Sequence, residues 1–309
     1  MPQNLENPRA KIRLAWLFAA ATLLVVASPA QAGIAFVALD QDQTWTVYYQ
    51  DTPDAPPRPI PKPIQGDASA PSLSPDNQTI VFEIQSAGLY TCPVQTDQDC
   101  AKLPLPAGDG ARPTWWDNTG QIAYAHYRTD ANGEDSELYL IDPARQIVTP
   151  LITQTGSLDY PDLSPNRRYL AYTVSGTVGL RRGGVQVTQS LWRMDLSTGK
   201  ARQLLLSDAQ DLHPAWSPNG QSLAFASNRS GQFEIWITDA EGAHPQLLTS
   251  GPNGKMWPTW SPDGQTILYT HLEDGRHQLW MIDADGSNPR RYQPFGPGSN
   301  KELRDADWR

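Results

Sequence analysis

The chain has 309 residues, 39% hydrophobic and 18% charged, the balance of a folded globular protein. Its 28 prolines exclude long helical bundles, because an interior proline removes a helix hydrogen bond and clashes with the preceding turn; with 23 glycines, 11 tryptophans and 11 tyrosines they suit many short strands joined by turns. A formal charge of −9 argues against a nucleic-acid groove, which needs clustered lysine and arginine, so no nucleic-acid partner is expected.

Residues 1–32 differ from the rest. Arg9, Lys11 and Arg13 precede an apolar run from Leu14 to Ala27, followed by Ser28-Pro29-Ala30-Gln31-Ala32. That order of basic, apolar and small residues predicts a secretory signal peptide, with 33–309 as the exported part. A retained membrane anchor is the alternative, although a spanning helix wants about 20 apolar residues. Export predicts a periplasmic location with no membrane span after cleavage, and it permits a disulfide. Cys92 and Cys100, eight positions apart across an expected hairpin, are the only cysteines and form the candidate pair. Residues 52–64, with six prolines, predict an extended polyproline strip on the surface, a stiff loop or a docking segment.

An internal repeat dominates the remainder. Its copies are Pro71-Ser-Leu-Ser-Pro-Asp, Pro113-Thr-Trp-Trp-Asp-Asn, Pro161-Asp-Leu-Ser-Pro-Asn, Pro214-Ala-Trp-Ser-Pro-Asn-Gly and Pro258-Thr-Trp-Ser-Pro-Asp-Gly. Their leading prolines are spaced by 42, 48, 53 and 44 residues, and nine and eleven positions after each stand an aliphatic and an aromatic residue, such as Ile267 and Tyr269. Each unit reads as an extended segment, a Pro-Asp/Asn-Gly turn, a second strand, a third strand ending in aspartate and a short fourth strand. Four strands in about 45 residues make one blade of a β-propeller. Ala306-Asp307-Trp308 repeats the first strand and stops, whereas Ile34-Ala35-Phe36 matches a second strand with no first one before it. The C-terminal strand is therefore expected to complete the N-terminal blade. The prediction is an all-β, six-bladed propeller of four-stranded blades, its ring closed at that seam so that no sheet edge stays open.

The Pro-x-Trp-Ser-Pro-Asp-Gly segment, the Ile-x-Tyr/Phe strand and the Ile-Trp-x-x-Asp strand resemble the TolB-type propeller repeat, across essentially all of residues 34–308. This resemblance implies an exported binding or scaffold protein of the cell envelope, with an envelope protein or peptide as partner, such as a peptidoglycan-associated lipoprotein bound at one mouth of the ring. Full TolB proteins also carry an α/β domain ahead of the propeller, which is not expected here because the repeats start two residues past the cleavage site. Related propellers precede the catalytic domain of prolyl-oligopeptidase-like peptidases, and no such hydrolase domain is expected within these 309 residues.

The positions that differ from blade to blade carry the functional expectation. Just before each inner-strand proline or its equivalent stand Ala70, Arg112, Tyr160, His213, Trp257 and Asp305, predicted to face the channel mouth. Arg112, Tyr160, His213, Trp257 and Asp305 are the binding candidates: Arg112 for a carboxylate, Tyr160 and Trp257 as apolar anchors, His213 as a polar contact. Packing of the two aromatics against neighbouring loops is the competing reading. Trp115, Trp216, Trp260 and Trp308 are read as core between blades. No nucleophile elbow, phosphate loop or His-Glu-x-x-His is present, so no catalytic residue and no cofactor is assigned.

The alternative is a metal-dependent propeller lyase or hydrolase acting on an acidic carbohydrate or small ester, with His126, His213 and His271 as ligands to test. His126 and His271 share one offset in blades three apart, too far for one ion. Two acidic stretches, Asp130-Ala-Asn-Gly-Glu-Asp-Ser-Glu and Asp283-Ala-Asp-Gly-Ser-Asn, offer oxygen ligands of the kind calcium takes, and are read as a solvated loop and a hairpin turn. Thr177 to Gln189, with Arg181-Arg182-Gly183-Gly184, lengthens one hairpin and is the only local basic spot. A monomer is expected.

Overall fold

In the computed structural model the described residues are 32–309, except 96–98, 107–108, 117–118, 131–132, 153–155 and 180–184. The expected leader, Ala32 apart, and the Arg181–Gly184 basic spot lie outside them. The described residues contain no helix, and their strands form six four-stranded antiparallel sheets. We number these blades one to six. Their inner strands are Leu303–Trp308, Ala68–Leu73, Asp109–Trp115, Ser157–Leu163, Asp211–Trp216 and Lys255–Trp260. Each inner strand touches those of the blades on either side, and blade six touches blade one, which closes the ring.

The seam forms as the sequence requires. The C-terminal strand pairs antiparallel with Ile34–Leu39, joining Ile34 to Trp308 and Ala38 to Leu303. Beyond it the Arg309 N–H donates to the Gly33 carbonyl at 2.9 Å. The turn after each inner strand is set by side chains. In blade six the Ser261 hydroxyl donates to Asp263 at 2.5 Å and accepts the Thr266 N–H at 2.9 Å, while Gly264 takes the positive φ of 70° that the turn demands. Blade five repeats this with Ser217, Asn219 and Gly220.

Second strands are apolar on both faces because each blade is stacked between two others. In Thr266–Glu273, Ile267 and Tyr269 pack with Ala224 and Ile235 of blade five, whereas Leu268 faces Ile34 and Phe36 of blade one. The period-two pattern thus separates two blade interfaces, not core from solvent. Each fully buried Ile or Leu of this kind contributes roughly 1.5–3 kcal/mol.

The proline strip is less of a surface loop than its composition suggests. Arg58–Pro59 is the outer strand of blade one, pairing with Tyr48 and Tyr49, and Ile60 is buried beside it. Proline is tolerated there because an edge strand needs no donor on its solvent side. Lys62 donates to Thr44 and to the carbonyls of Trp45 and Gly66, fixing the following turn. Cys92 and Cys100 form a disulfide with Cα atoms 4.3 Å apart, clipping the third strand of blade two to its outer strand, Ala101–Lys102.

The acidic run Asp130–Glu137 belongs to a hairpin, Ile122–Asp130 with Gly133–Asp142, and its residues 131–132 lie outside the described set. Glu137 there pairs with Arg128 at 3.1 Å, and Ser136 is buried with its hydroxyl on the Leu158 carbonyl. Asp283 accepts from Asn288 at 2.7 Å and Arg290 at 2.9 Å within its turn. The hairpin of blade four is the longest, Tyr169–Gly179 with Val185–Asp195.

Candidate functional site

Every inner strand carries a β-bulge at one point. Pairing with the second strand skips from Ser69 to Ser72, Ala111 to Thr114, Asp159 to Asp162, Leu212 to Ala215 and Met256 to Thr259, and blade one has the equivalent irregularity opposite Ala35 and Val37. The skipped pairs hold the six mouth positions. Ala70, Arg112, Tyr160, His213, Trp257 and Asp305 have φ of 46°, 52°, 51°, 56°, 52° and 49°, left-handed values that residues with a β-carbon rarely adopt. Each bulge re-aims one side chain, and all six line a single cavity of about 150 Å³ on the ring axis. The sequence phase therefore locates these residues, and the bulge supplies their direction.

Three rings form an arc. Tyr160 and His213 meet edge to face at 4.1 Å between centroids, and His213 stacks on Trp257 at 5.0 Å. The Arg112 guanidinium lies over the Tyr160 ring, 5.0 Å from its centroid. The two aromatics therefore contact other mouth residues directly. Burial, with the Arg112 charge adding to it, holds the His213 imidazole well below its ordinary pKa, so the ring is neutral. Burial also pushes the Tyr160 hydroxyl up to about 12, against the pull of Arg112.

Arg112 is not a free cation waiting for a carboxylate. Burial works against its charge, but Tyr160, Asp159, Asp305 and Glu83 together hold it above the usual guanidinium value, Glu83 at 4.0 Å. Burial raises Glu83 and Asp159 above their ordinary values despite Arg112. Asp305 accepts the Ala70 N–H at 3.5 Å and lies 3.7 Å from Arg304.

Sequence reasoning missed Glu83, Asp159 and the floor of the cavity. Two residues past the mouth positions, Ser72, Asp162 and Asp307 line a second tier, termed the floor, joined there by Arg309. The same repeat phase, read two places further on, would have found the first three. Asp162 accepts the Trp216 N–H at 2.6 Å and Asp307 the Leu73 N–H at 2.7 Å, each carboxylate reaching the next blade. The Arg309 guanidinium contacts Asp307 at 3.2 Å and Thr114 at 3.5 Å. Burial pushes the Asp162 carboxyl up to about 7; Arg309 opposes that shift and Asp307 adds to it.

The recurring tryptophans sit between blades. Trp115, Trp216 and Trp260 are buried in inter-blade clusters, and Trp308 packs against another. Trp115 and Trp260 donate their indole N–H groups to the Ser72 and Ala215 carbonyls of the preceding blade, at 2.9 and 3.1 Å. Where the preceding blade offers Asp162 or Thr259 instead, that side chain takes the main-chain N–H of Trp216 or Trp308.

The residues present do not fit a histidine-bound metal centre. His126 lies in the sheet of blade three against Tyr139, His271 contacts the Pro252 carbonyl at 3.1 Å, and only His213 lines the cavity. Among the described residues no three His, Cys, Asp or Glu side chains come together as a metal-holding group.

Fold and site define a closed six-bladed propeller with a chemically varied axial cavity. The chain belongs to the TolB β-propeller domain family, whose model matches residues 120–307. The Tol-Pal system protein TolB of Legionella pneumophila is 31% identical over 75 residues, 24% of this chain and 18% of that protein. The uncharacterized peptidase YuxL of Bacillus subtilis is 33% identical over 104 residues, 33% of this chain and 15% of that one. The matches thus span less than a fifth of these relatives. Among solved structures, TolB from Acinetobacter baumannii superposes with a TM-score of 0.70 at 20% identity, covering 91% of this chain and 67% of that chain. An oligogalacturonate lyase in complex with manganese superposes at 0.56 with 16% identity, covering 84% and 73%. At these identities the likeness is one of fold.

Proposed function

We propose that this propeller is a binding module of the cell envelope, exported to the periplasm, that engages a partner protein or peptide at its channel mouth. The observation that carries the reading is the ring of six bulge positions. The repeat keeps their backbone geometry constant while their side chains differ, which is how one scaffold presents a specific surface. Tyr160, Trp257 and Arg112 are of the residue types that dominate interface energetics. Similarity to a Tol-Pal system protein supports an envelope partner, of which a peptidoglycan-associated lipoprotein is the first to test.

The test is capture from an envelope extract on the chain and on its Arg112→Ala/Trp257→Ala variant, after circular dichroism shows that the variant folds. A protein held by the wild type and weakened at least tenfold by the variant supports the reading. Equal retention by both removes the mouth as the partner site.

A further inference from the structure

We propose that the axial cavity receives one lysine side chain from the partner, its methylene stem passing the aromatic arc and its ammonium reaching the Asp162–Asp307 floor. The inference rests on the mouth being a binding site and names the chemistry it selects.

Charge comes first. Glu83, Asp159 and Asp305 surround Arg112 at the mouth, with Arg304 at the edge beside Asp305. On the floor Asp162 and Asp307 face the single guanidinium of Arg309. Five carboxyl groups face three guanidinium groups, and burial has raised Glu83, Asp159 and Asp162, so a further cation, which would favour their ionised forms, fits the set better than an anion. An anionic group entering here would meet unbalanced carboxylates in a poorly solvated channel. The carboxyl of Asp162 is held up to about 7 chiefly by burial, and an ammonium beside it would favour its ionised form.

Hydrogen bonding points the same way. Ser72, Arg112 and His213 all line the cavity, and Ser72 Oγ, Arg112 Nε and His213 Nδ1 have no partner. Buried polar atoms are rarely left unmet, so three in one cavity signify a group that completes them. A neutral imidazole has one acceptor nitrogen and a serine hydroxyl accepts as well, matching the donors of an ammonium, whereas Arg112 Nε can only donate and is matched by a main-chain carbonyl of the same partner. An ammonium brings three donors on a compact head, whereas a guanidinium is a broad planar fork.

Size and wall chemistry limit the rest. A cavity of about 150 Å³ holds about five waters, the bulk of one slender side chain. Its wall alternates proline rings with Tyr160, His213 and Trp257, apolar surface suited to a methylene stem and π faces suited to a cation.

Calorimetry on the full chain with blocked lysine (Nα-acetyl-lysine methylamide) tests this, beside blocked norleucine, blocked glutamate, free butylamine and calcium chloride. Blocked lysine is expected to bind at least tenfold tighter than norleucine, and to weaken at least tenfold in Asp162→Asn. That variant keeps an acceptor oxygen for the Trp216 N–H, and Asp307→Asn does the same for Leu73. Butylamine binding as tightly as blocked lysine would overturn the peptide source in favour of a free amine. Equal binding of norleucine, tighter binding of glutamate, or binding of calcium alone would overturn the proposal. Failure here with capture still dependent on the mouth would leave the binding-module reading intact; lysine binding without mouth-dependent capture would do the reverse.

Discussion

Six residues bearing a β-carbon hold left-handed φ angles around one cavity, and five of them precede a proline. Such a conformation costs about 1–2 kcal/mol at each residue, so the ring stores strain that the surrounding sheets must override. Ala70 isolates the effect because its side chain is only a methyl group. Ala70→Gly is expected to stabilise the chain by about 1 kcal/mol, the relief of strain less the extra entropy of glycine in the unfolded chain. Ala70→Val, β-branched in the same conformation, should destabilise it. Urea denaturation of the two variants measures both signs, and a Gly variant weaker than wild type would show that no strain is released. The identities of the mouth residues were legible from the repeat phase. Their backbone strain was not, since nothing in Arg112-Pro or Trp257-Pro announces a positive φ.

At the scale of the strand, blades five and six are tied by a buried ion pair that no periodicity reveals. Lys255 begins an inner strand and is 3% exposed; its ammonium contacts Glu234 at 3.2 Å and the carbonyls of Gly251, Pro252 and Asn253. Glu234 also accepts from the Thr249 hydroxyl at 2.6 Å. In blade five Asp211 pairs with Arg229 at 2.7 Å and accepts from Ser207. Removing one member of a buried pair strands the other, which costs about 3–5 kcal/mol. Lys255→Met is expected to lose that much in urea denaturation and to loosen the 250–254 turn in hydrogen exchange. The paired change Lys255→Met/Glu234→Leu should cost less than the single one, because no charge is left uncompensated. If the double variant is the weaker of the two, the charges are not coupled as their distance indicates.

For the whole ring, closure depends on one strand that lies at the far end of the chain from its partner. Removing residues 303–309 would open the edge of Ile34–Leu39 and strip Leu303 and Trp308 from the cluster around Phe36. It would also take Asp307 from the Leu73 N–H, loosening blade two as well. The truncated chain is expected to lose its single cooperative transition and to self-associate through the exposed edge. Calorimetry and sedimentation check this, and a monomer that melts in one sharp transition would show that the seam is dispensable.

The repeat, its turns and its complementary ends determined the blade count, the closing strand and which residues face the channel, because propeller geometry follows from short-range periodicity repeated at fixed offsets. The tertiary structure alone decided the surroundings of those residues. Glu83 and Asp159 beside Arg112, and the Asp162–Arg309–Asp307 floor, come from different blades, and their charges meet only once the ring brings strands distant in sequence within a few ångströms and removes the water between them.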